Sequence, residues 1–439
     1  MTVRVLVVLT GLLLALLTPV TVAAEPVRIL LYGDSITQGS SGDWTWRYRL
    51  DRHLRDSGVS FDFVGPYDGL HHFPDAAGAP DEQTYVDPGF DTDHAARWGQ
   101  ALTAPVDRLG DLVEEFRPDM VVSMIGVNDL TAAHATVSGV IDAYEEQIAL
   151  ARAAAPGLDV VVAREPVTWL AGVTDLNAAL ATMATGLDTP TERVLATDVP
   201  AFVDGVDNWD PVHPTATGEV KIAAAVENAL SAIGVGDPAG TVVVENGLRA
   251  TATLTATAGA PGEARLRWTT VPGATAMWLE TRDPDVDADW RRYPFSFGPA
   301  TTQWTATGLW PGHEHRFRIR AAKGTVTSPL TSAVARVFVA ASALAAVKGV
   351  RAVSRRHDVV TVIGKPVAGA TSYDVLAVAA KSCRRMPRPG RFSSLKTGRP
   401  APRARLRTSA RHLWVRLVAV RDGVPGRIAK RSTDCVRVR

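Results

Sequence analysis

A serine, a histidine, an aspartate and an asparagine stand at positions in this chain where together they could carry out nucleophilic catalysis. Ser35 closes the tripeptide Gly33-Asp34-Ser35, directly after an apolar run, and Asp210 precedes His213 by three residues. A serine hydroxyl is a weak nucleophile that needs a base, a group that orients the base, and donors for a developing oxyanion. We therefore predict Ser35 as nucleophile, His213 as general base and Asp210 as the orienting acid.

The donors for the oxyanion are predicted from a second motif, Gly126-Val127-Asn128-Asp129. We expect the Asn128 side-chain amide to be one donor and the backbone N–H of Ser35 to be another. Both residues follow strand-like apolar runs. Because the carboxyl ends of parallel strands meet at one edge of a sheet, the two should lie close together. Asp129 is expected to hold its loop rather than to orient the histidine.

Strands and helices that would position these residues alternate over residues 26–232. The hydrophobic pattern predicts five strands, at 27–32, 60–64, 120–124, 160–163 and 194–197. It predicts five helices, around 44–57, 102–116, 137–154, 176–185 and 215–233. Short strands separated by helices indicate a parallel sheet that is covered on both faces.

The three motifs, in this order and at strand ends, resemble the SGNH (GDSL-type) esterase/lipase family over residues 26–232. The third motif is Asp210-Pro211-Val212-His213. The resemblance implies a flavodoxin-like, three-layer α/β domain that hydrolyses carboxylic esters through an acyl-enzyme, without a cofactor. It also implies a third oxyanion donor, a glycine N–H in the segment before the second motif. Gly99 is the first candidate and Gly89 the alternative.

Five tryptophans fall in segments predicted at the same edge of the sheet, and we predict that they wall a substrate cleft. They are Trp44, Trp46, Trp98, Trp169 and Trp209. Such a cleft would suit a sugar ring or an apolar acyl group; ordinary packing of helix starts is the alternative for two or three of them. The sequence contains neither a glycine-rich phosphate loop nor a cluster with metal-ligand spacing, so no metal is expected.

The first 24 residues have the pattern of a secretory signal. Arg4 precedes an apolar run over 5–17, and small residues precede a predicted cleavage after Ala24. A membrane anchor is the alternative, but the run is short and Pro19 interrupts it. We expect an exported protein whose mature form has no membrane span.

A Gly- and Pro-containing linker over 234–240 separates the hydrolase-like region from segments with strand-like patterns. The predicted domains are a signal peptide at 1–24, a hydrolase domain at 26–233, and two β-sandwich domains at 241–340 and 346–439. The chain has two cysteines, Cys383 and Cys435. An isolated pair in an exported protein predicts one disulfide.

The two β-regions are related by an internal repeat. Residues 268–278 are echoed by 363–373, and 316–322 by 414–420, with alternating apolar and basic residues that predict strands buried on one face. The segment Leu309–Ala321 resembles the late-strand signature of fibronectin type III domains, although His315 stands where that family usually has tyrosine. The resemblance implies two fibronectin-like sandwiches, the second a more degenerate copy.

A sharp charge asymmetry lies behind the formal net charge of +1. Residues 348–439 hold 23 Lys and Arg against four Asp and no Glu, so the rest of the chain is acidic. This pattern predicts that the last domain binds an anionic cell-wall polymer or polysaccharide. Docking of the basic domain on the acidic remainder is the alternative. Nucleic acid is not an expected partner, since the region has no recognised nucleic-acid motif.

These patterns together predict a secreted, cell-wall-associated serine esterase that deacetylates a polysaccharide. A lipase, a short-chain acyl esterase or a thioesterase is the alternative within the same chemistry. An alternative of another class is a non-catalytic carbohydrate-binding protein of the cell surface. The four chemical groups argue against it, because a binding module would not need all of them.

Overall fold

The computed structural model describes residues 25–439 apart from 74, 76–79, 243, 245–246, 341–343, 388–390 and 422. The predicted signal peptide therefore lies outside the described residues. Within the described part of the chain, no helix combines the length and the apolar character needed to cross a membrane.

Strands and helices alternate through the first part of the chain. Its described residues form the strands β1 (Val27–Gly33), β2 (Phe61–Val64), β3 (Leu70–His71), β4 (Asp81–Glu82), β5 (Ala95–Ala96), β6 (Met120–Met124), β7 (Asp159–Ala163) and β8 (Val194–Thr197). They also form the helices α1 (Ser35–Gln38), α2 (Trp46–Asp56), α3 (Leu109–Phe116), α4 (Val127–Thr131), α5 (Val137–Ala154), α6 (Val173–Leu187) and α7 (Ala216–Ala232).

The main sheet of this α/β domain has the strand order β2-β1-β6-β7-β8, and neighbouring strands on this path run parallel. Successive side chains of a strand point to opposite faces, and β1 shows the result. Leu30 and Tyr32 pack into one hydrophobic cluster with α3, α5 and α6, whereas Ile29 and Leu31 pack into another with α2 and α7. The predicted three-layer, flavodoxin-like α/β fold is thus confirmed.

The five predicted strands agree with the observed ones to within one residue at each end, but one helix begins seven residues later than predicted. Residues 102–108 were expected to begin a helix that in fact starts at Leu109. The Asp129 carboxylate accepts hydrogen bonds from the backbone N–H groups of Leu102 and Thr103, at 2.8 Å each. Pro105 follows, and the residue before a proline disfavours helical backbone angles. This segment is therefore a loop that is fastened to the second motif.

Two β-sandwiches follow, here called the first and second sandwich. The first contains β9 (Leu254–Ala258), β10 (Ala264–Trp268), β11 (Ala276–Arg282), β12 (Arg291–Arg292), β13 (Gln303–Ala306), β14 (Glu314–Lys323), β15 (Val326–Thr327) and β16 (Ala335–Phe338). The second contains β17 (Arg351–Arg356), β18 (Val359–Ile363), β19 (Ser372–Ala380), β20 (Ser393–Arg399), β21 (Arg403–Arg407), β22 (His412–Arg421), β23 (Val424–Pro425) and β24 (Thr433–Arg437).

The two sandwiches have the same topology. In the first, β10 lies between β9 and β13, and a larger sheet has the order β12-β11-β14-β15 with β16 also on β14. In the second, β18 lies between β17 and β21, and the larger sheet has the order β20-β19-β22-β23 with β24 also on β22. The repeated segments form the central antiparallel pairs, β11 with β14 and β19 with β22. The internal repeat in the sequence is therefore a repeat of one fold.

Two details concern the predicted sandwich features. His315, in the position where fibronectin-like domains usually have tyrosine, forms a hydrogen bond to the carbonyl oxygen of Trp310 at 3.2 Å. This bond runs back to the upstream backbone, as the tyrosine hydroxyl does in that corner. Cys383 and Cys435 form a disulfide in the second sandwich, with Cα atoms 5.7 Å apart.

Candidate active site

The edge formed by the carboxyl ends of β1 and β6 carries the first two motifs. Gly33 lies opposite Met124 in the register of these strands, so the residues that follow each strand emerge side by side. Ser35 is the first residue of α1, and Asp34 caps that helix by accepting a hydrogen bond from the Ile36 N–H at 3.0 Å. The Ser35 hydroxyl is thereby held at the sheet edge on a short, capped turn.

His213 and Asp210 reach this edge from the turn before α7. The His213 Nε2 atom lies 3.0 Å from Ser35 Oγ, and His213 Nδ1 lies 2.8 Å from Asp210 Oδ2. The two ring nitrogens thus join the hydroxyl and the carboxylate in one hydrogen-bonded chain. Such an arrangement allows the ring to accept a proton from the hydroxyl while the carboxylate stabilises the resulting cation.

The Asp210 carboxylate is fixed within its own turn. Its Oδ1 atom accepts hydrogen bonds from the backbone N–H groups of Val212 at 2.9 Å and His213 at 2.7 Å. Burial opposes ionisation, but the hydrogen bonds and charge of His213 outweigh it, so the pKa of the Asp210 carboxyl is lower than usual. Asp210 is therefore an ionised partner for the imidazole at neutral pH.

The backbone N–H groups of Ser35 and Gly99 donate to no acceptor among the described residues. The Gly99 segment is tied to the nucleophile's strand and helix. The Trp98 N–H donates to the Gln38 side chain at 2.6 Å, and Gln100 Nε2 donates to the Gly33 carbonyl at 3.3 Å. The N–H of the alternative donor, Gly89, donates to Asp87 Oδ1 at 2.8 Å, so Gly99 is favoured over Gly89.

The Asn128 side-chain amide lies at the same edge, but it is engaged in the resting structure. Its Nδ2 donates to the Gln100 carbonyl at 3.0 Å and to Asp34 Oδ2 at 3.3 Å. Asp34 is buried, and this burial raises the pKa of its carboxyl to about 7. The longer contact, to Asp34, is the one that a substrate oxygen would replace most easily.

Of the five predicted cleft tryptophans, three lie at the site. Trp98 stacks on the His213 ring with centroids 4.1 Å apart, and Trp209 stacks on it at 5.3 Å. Trp169 donates its indole N–H to the Pro211 carbonyl at 3.1 Å and leaves 39% of its surface exposed. Trp209 is only 7% exposed, so it supports the histidine rather than offering a face to a ligand.

The prediction was wrong for Trp46, which is fully buried in the hydrophobic cluster beneath the sheet and has no surface for a ligand. Trp44 packs on Tyr48, with the Arg49 guanidinium 4.9 Å from its ring centre. Both residues stand near the start of α2, where apolar side chains turn inward. The ordinary-packing alternative accounts for them.

Sequence reasoning did not place His71 at the site. The residue is 1% exposed, and its ring stacks on Trp98 with centroids 4.3 Å apart. Burial lowers the pKa of the His71 imidazole, which favours a neutral ring beside the base. Nothing in the local sequence indicates this placement, because it depends on β3 lying beside the distant segment that carries Trp98.

One group in the described residues has side chains close enough to hold a metal ion: Asp283, Asp285 and His313, in the first sandwich. The Asp283 carboxylate is 2.7 Å from His313 Nδ1, so an ion pair or hydrogen bond accounts for this contact. The group lies on the loop between β11 and β12 and at the start of β14, apart from the serine–histidine pair.

Comparison with known proteins identifies the first part of the chain. Residues 31–220 match the model of the GDSL-like lipase/acylhydrolase family. No curated protein matches the chain. Similar solved structures include an acetyl esterase mutant with acetate ion and a carbohydrate esterase family 3 protein from Talaromyces cellulolyticus. Each is 26% identical, covers 47% of this chain and 97% of its own, and has a TM-score of 0.41.

The sandwiches are similar to a segment of two fibronectin type III domains from chicken tenascin. The identity is 16%, the TM-score is 0.18, and the match covers 42% of this chain and 97% of that one. The family match falls on the strands, helices and motifs that form the serine–histidine–aspartate site. The chain therefore carries a GDSL-like lipase/acylhydrolase domain and is a carboxylic ester hydrolase.

Proposed function

We propose that Ser35, His213 and Asp210 form the catalytic triad of an exported esterase that removes acetyl groups from a polysaccharide. The observation that carries the proposal is the hydrogen-bonded chain from Ser35 Oγ through both nitrogens of His213 to Asp210. Each link has the length of a good hydrogen bond, and each group has the chemistry its role requires.

The reaction follows from the positions of the donors and acceptors. Ser35 Oγ attacks the ester carbonyl carbon while His213 Nε2 takes the hydroxyl proton. The carbonyl oxygen becomes an oxyanion that the N–H groups of Ser35 and Gly99 receive, with Asn128 exchanging its contact to Asp34 for the substrate. His213 then gives the proton to the departing alcohol, and an acyl-serine ester remains. A water molecule repeats the sequence and releases the carboxylic acid.

A short acyl group suits this site. Ser35 is only 3% exposed, and the stacked rings of Trp98 and His213 lie directly beside it. An acetyl group needs little space beyond the carbonyl, whereas a long chain needs an apolar channel. The half-exposed Trp169 beside the 210–213 turn offers an aromatic face on which a sugar ring can stack.

The test is a series of p-nitrophenyl esters, from acetate to octanoate, measured beside acetyl release from acetylated xylan. We expect the highest kcat/KM for acetate and measurable acetate release from the polymer. A maximum at octanoate would favour the lipase alternative, and binding of xylan without hydrolysis of any ester would favour a non-catalytic binding protein.

Export is the second part of the proposal. It is supported by the signal-like pattern of residues 1–24 and by the disulfide of the second sandwich, because disulfides persist mainly in oxidising compartments. N-terminal sequencing of the protein recovered from the culture medium tests it. A mature N-terminus at Glu25 is expected, and retention of the full leader inside the cell would contradict it.

We also propose that the second sandwich binds an anionic cell-wall polymer or polysaccharide through the outer face of its smaller sheet. Val359, Thr361 and Ile363 form the middle of this face. Exposed basic residues flank them on the neighbouring strands: Arg351 and Arg355 on β17, and Arg403, Arg405 and Arg407 on β21. All of these residues except Arg351 line a groove together with Lys396, and none of the lining residues is acidic.

The shape and chemistry of this groove favour a polymer with both charge and apolar surface. Val353 and Ile363 line the groove among the guanidinium groups, and their side chains remain 37% and 44% exposed. These arginines are exposed, and none of them forms an ion pair with an acidic side chain among the described residues. Arginine binds carboxylates in a bidentate manner, so uronic acid units are a suitable ligand.

A further inference from the structure

The first sandwich is packed against the α/β domain with no room for a side chain between two backbones. A Cβ atom added to Gly324 would lie 1.8 Å from the carbonyl oxygen of Trp209. One added to Gly273 would lie 1.8 Å from the carbonyl oxygen of Ser41. Only glycine allows so close an approach. The interface between the sandwich and the α/β domain is therefore closely packed at two separate loops of the sandwich.

Lys323, the last residue of β14, extends its ammonium group from the sandwich into the α/β domain. Its Nζ donates hydrogen bonds to Ser40 Oγ at 2.8 Å, to the Ser41 carbonyl at 3.0 Å and to Asp43 Oδ1 at 2.5 Å. Lys323 is 5% exposed, and Nζ lies 4.9 Å from the centre of the Trp209 ring. Three oxygens satisfy the three protons of the ammonium group, and the indole face adds a cation–π contact.

The residues around Lys323 belong to the two segments that carry the serine and the histidine. Ser40 to Asp43 follow α1, whose first residue is Ser35. Trp209 precedes the turn that ends at His213. It stacks on the His213 ring at 5.3 Å, and its backbone N–H donates to the His213 carbonyl at 3.0 Å. Lys323 thus bridges the exit of the serine's helix and the entrance to the histidine's turn.

We propose that Lys323 is a positioning residue for the Ser35–His213 pair, so that the first sandwich is a working part of the active site and not only a tether. The inference rests on the proposed roles of Ser35 and His213. Removing one partner of a buried ion pair leaves an uncompensated charge, which the surrounding segments must move to solvate. A displacement of about 1 Å between reacting groups is enough to lower a rate by about a hundredfold.

The first test is Lys323→Met in the full chain, with p-nitrophenyl acetate as a substrate that needs no polymer-binding surface. We expect kcat to fall by about 10- to 100-fold and KM to stay within about twofold. Lys323→Arg, which keeps the charge, should retain more activity than Lys323→Met. Thr325→Val is the matched control, because the Thr325 hydroxyl donates across the same interface to the Gly205 carbonyl at 2.8 Å, outside the Lys323 cluster. Its kcat should equal that of the parent.

The second test uses Asp43→Asn, which keeps the shape of the side chain and weakens the ion pair. We expect kcat to fall by about 3- to 10-fold, and the double variant with Lys323→Met to be no slower than Lys323→Met alone, because both changes break one bridge. The rate at which a fluorophosphonate labels Ser35 should fall in the same proportion as kcat. This rate reports on the serine–histidine pair in folded protein and does not respond to a loss of stability alone.

The outcomes separate this inference from the proposed function. If the parent hydrolyses no ester, the proposed function fails and the positioning role fails with it. If the parent is active and folded Lys323→Met and Asp43→Asn both keep kcat and labelling rate within twofold of it, only the positioning role is overturned. A lower melting temperature without a change in these rates has the same meaning.

Discussion

The two sandwiches share one topology and place a long basic side chain at the same point, the last residue of the central strand. In the first sandwich, Lys323 donates to three oxygens of the α/β domain. In the second, the equivalent Arg421 donates its Nε–H to the carbonyl of Gly369 in its own sandwich, at 2.6 Å. The same fold therefore uses this basic residue in two ways. In the first sandwich it bonds to a neighbouring domain, and in the second it bonds within its own domain.

The outer faces of the smaller sheets also differ: the second sandwich carries more exposed arginines on this face than the first. On the first sandwich, Arg265 and Arg267 of β10 are exposed between neighbouring strands that carry threonine and glutamine. On the second, arginines line both sides of the middle strand. The first sandwich therefore directs its specific contact inward to the α/β domain, and the second presents its charge outward. Variants of the active site and of each sandwich test this division.

Ser35→Ala separates the chemical site from both sandwiches. We expect kcat/KM for p-nitrophenyl acetate to fall by about 10⁴-fold or more, because the nucleophile is removed. Retention on an acidic polysaccharide column should be unchanged, because the groove lies on another domain. Activity within tenfold of the parent, in a folded variant, would refute Ser35 as the nucleophile.

Asp210→Asn and Asp129→Asn compare two carboxylates that stand next to motif residues but bind different partners. Asp210 holds His213, and its replacement should lower kcat by about 10⁴-fold, because an amide favours the wrong imidazole tautomer. Asp129 holds the backbone of residues 102 and 103. Its replacement should lower the free energy of unfolding more than it lowers kcat. A reversed order in kcat would assign the roles the other way round.

The groove is tested by a triple change, Arg403→Ala with Arg405→Ala and Arg407→Ala. We expect the dissociation constant for polygalacturonate to rise by about tenfold or more at low salt, since three exposed cations are lost. Binding by the parent should also weaken steeply toward physiological salt, where charges are screened over about 8 Å. The control is Arg265→Ala with Arg267→Ala on the first sandwich. Equal losses in both variants would mean that the binding follows net charge and not this groove.

Glu219→Gln examines a carboxyl that the docking of the first sandwich keeps buried. Burial and the charge of Asp43 together raise the pKa of Glu219 to about 7, although Arg49 and Lys323 oppose the shift. The folded parent therefore holds a proton that the unfolded chain releases above pH 4.5, so this contribution to stability is lost as pH rises from 4.5 to 7. The unfolding free energy of the variant minus that of the parent should therefore increase by about 1–3 kcal/mol between pH 4.5 and pH 7. A constant difference in chemical denaturation at pH 4.5, 6 and 7.5 would contradict the raised pKa.

Arg421→Ala changes the residue of the second sandwich that is equivalent to Lys323, and we expect only a small effect. Arg421 is exposed and bonds within its own sandwich. We expect kcat within about twofold of the parent and a loss of stability under about 1 kcal/mol. A fall in kcat as large as that expected for Lys323→Met would contradict the claim that only the first sandwich positions the active site.

The chemical residues were accessible from the sequence because local patterns carry them. Apolar runs of the right length placed the strands of the α/β sheet, and the parallel topology then brought the ends of β1 and β6 together. The alternation of apolar and basic residues likewise located the central strands of both sandwiches. These inferences need only periodicity and chain order.

What the sequence did not reveal depends on contacts between distant segments. Lys323 ends a strand that already contains alternating arginines, so nothing in its surroundings marks it as the residue that leaves the sandwich. His71, in β3, and Trp98 are far apart in the sequence and meet only in the folded domain. Trp46 was misassigned because it is the first residue of a helix that begins at the active edge. A residue in that position can face the core or the site, and the hydrophobic pattern does not show which.

The stack of Trp98 and Trp209 on the His213 ring has a kinetic consequence. With its plane held by two indoles and one nitrogen held by Asp210, the imidazole cannot swing aside between half-reactions. The departing alcohol and the incoming water must then meet the same nitrogen, one after the other. A bulky alcohol that dissociates slowly therefore delays hydrolysis of the acyl-enzyme by water. Turnover on a polymer is thus expected to depend on how fast the chain clears the site, as well as on how fast its ester bond breaks.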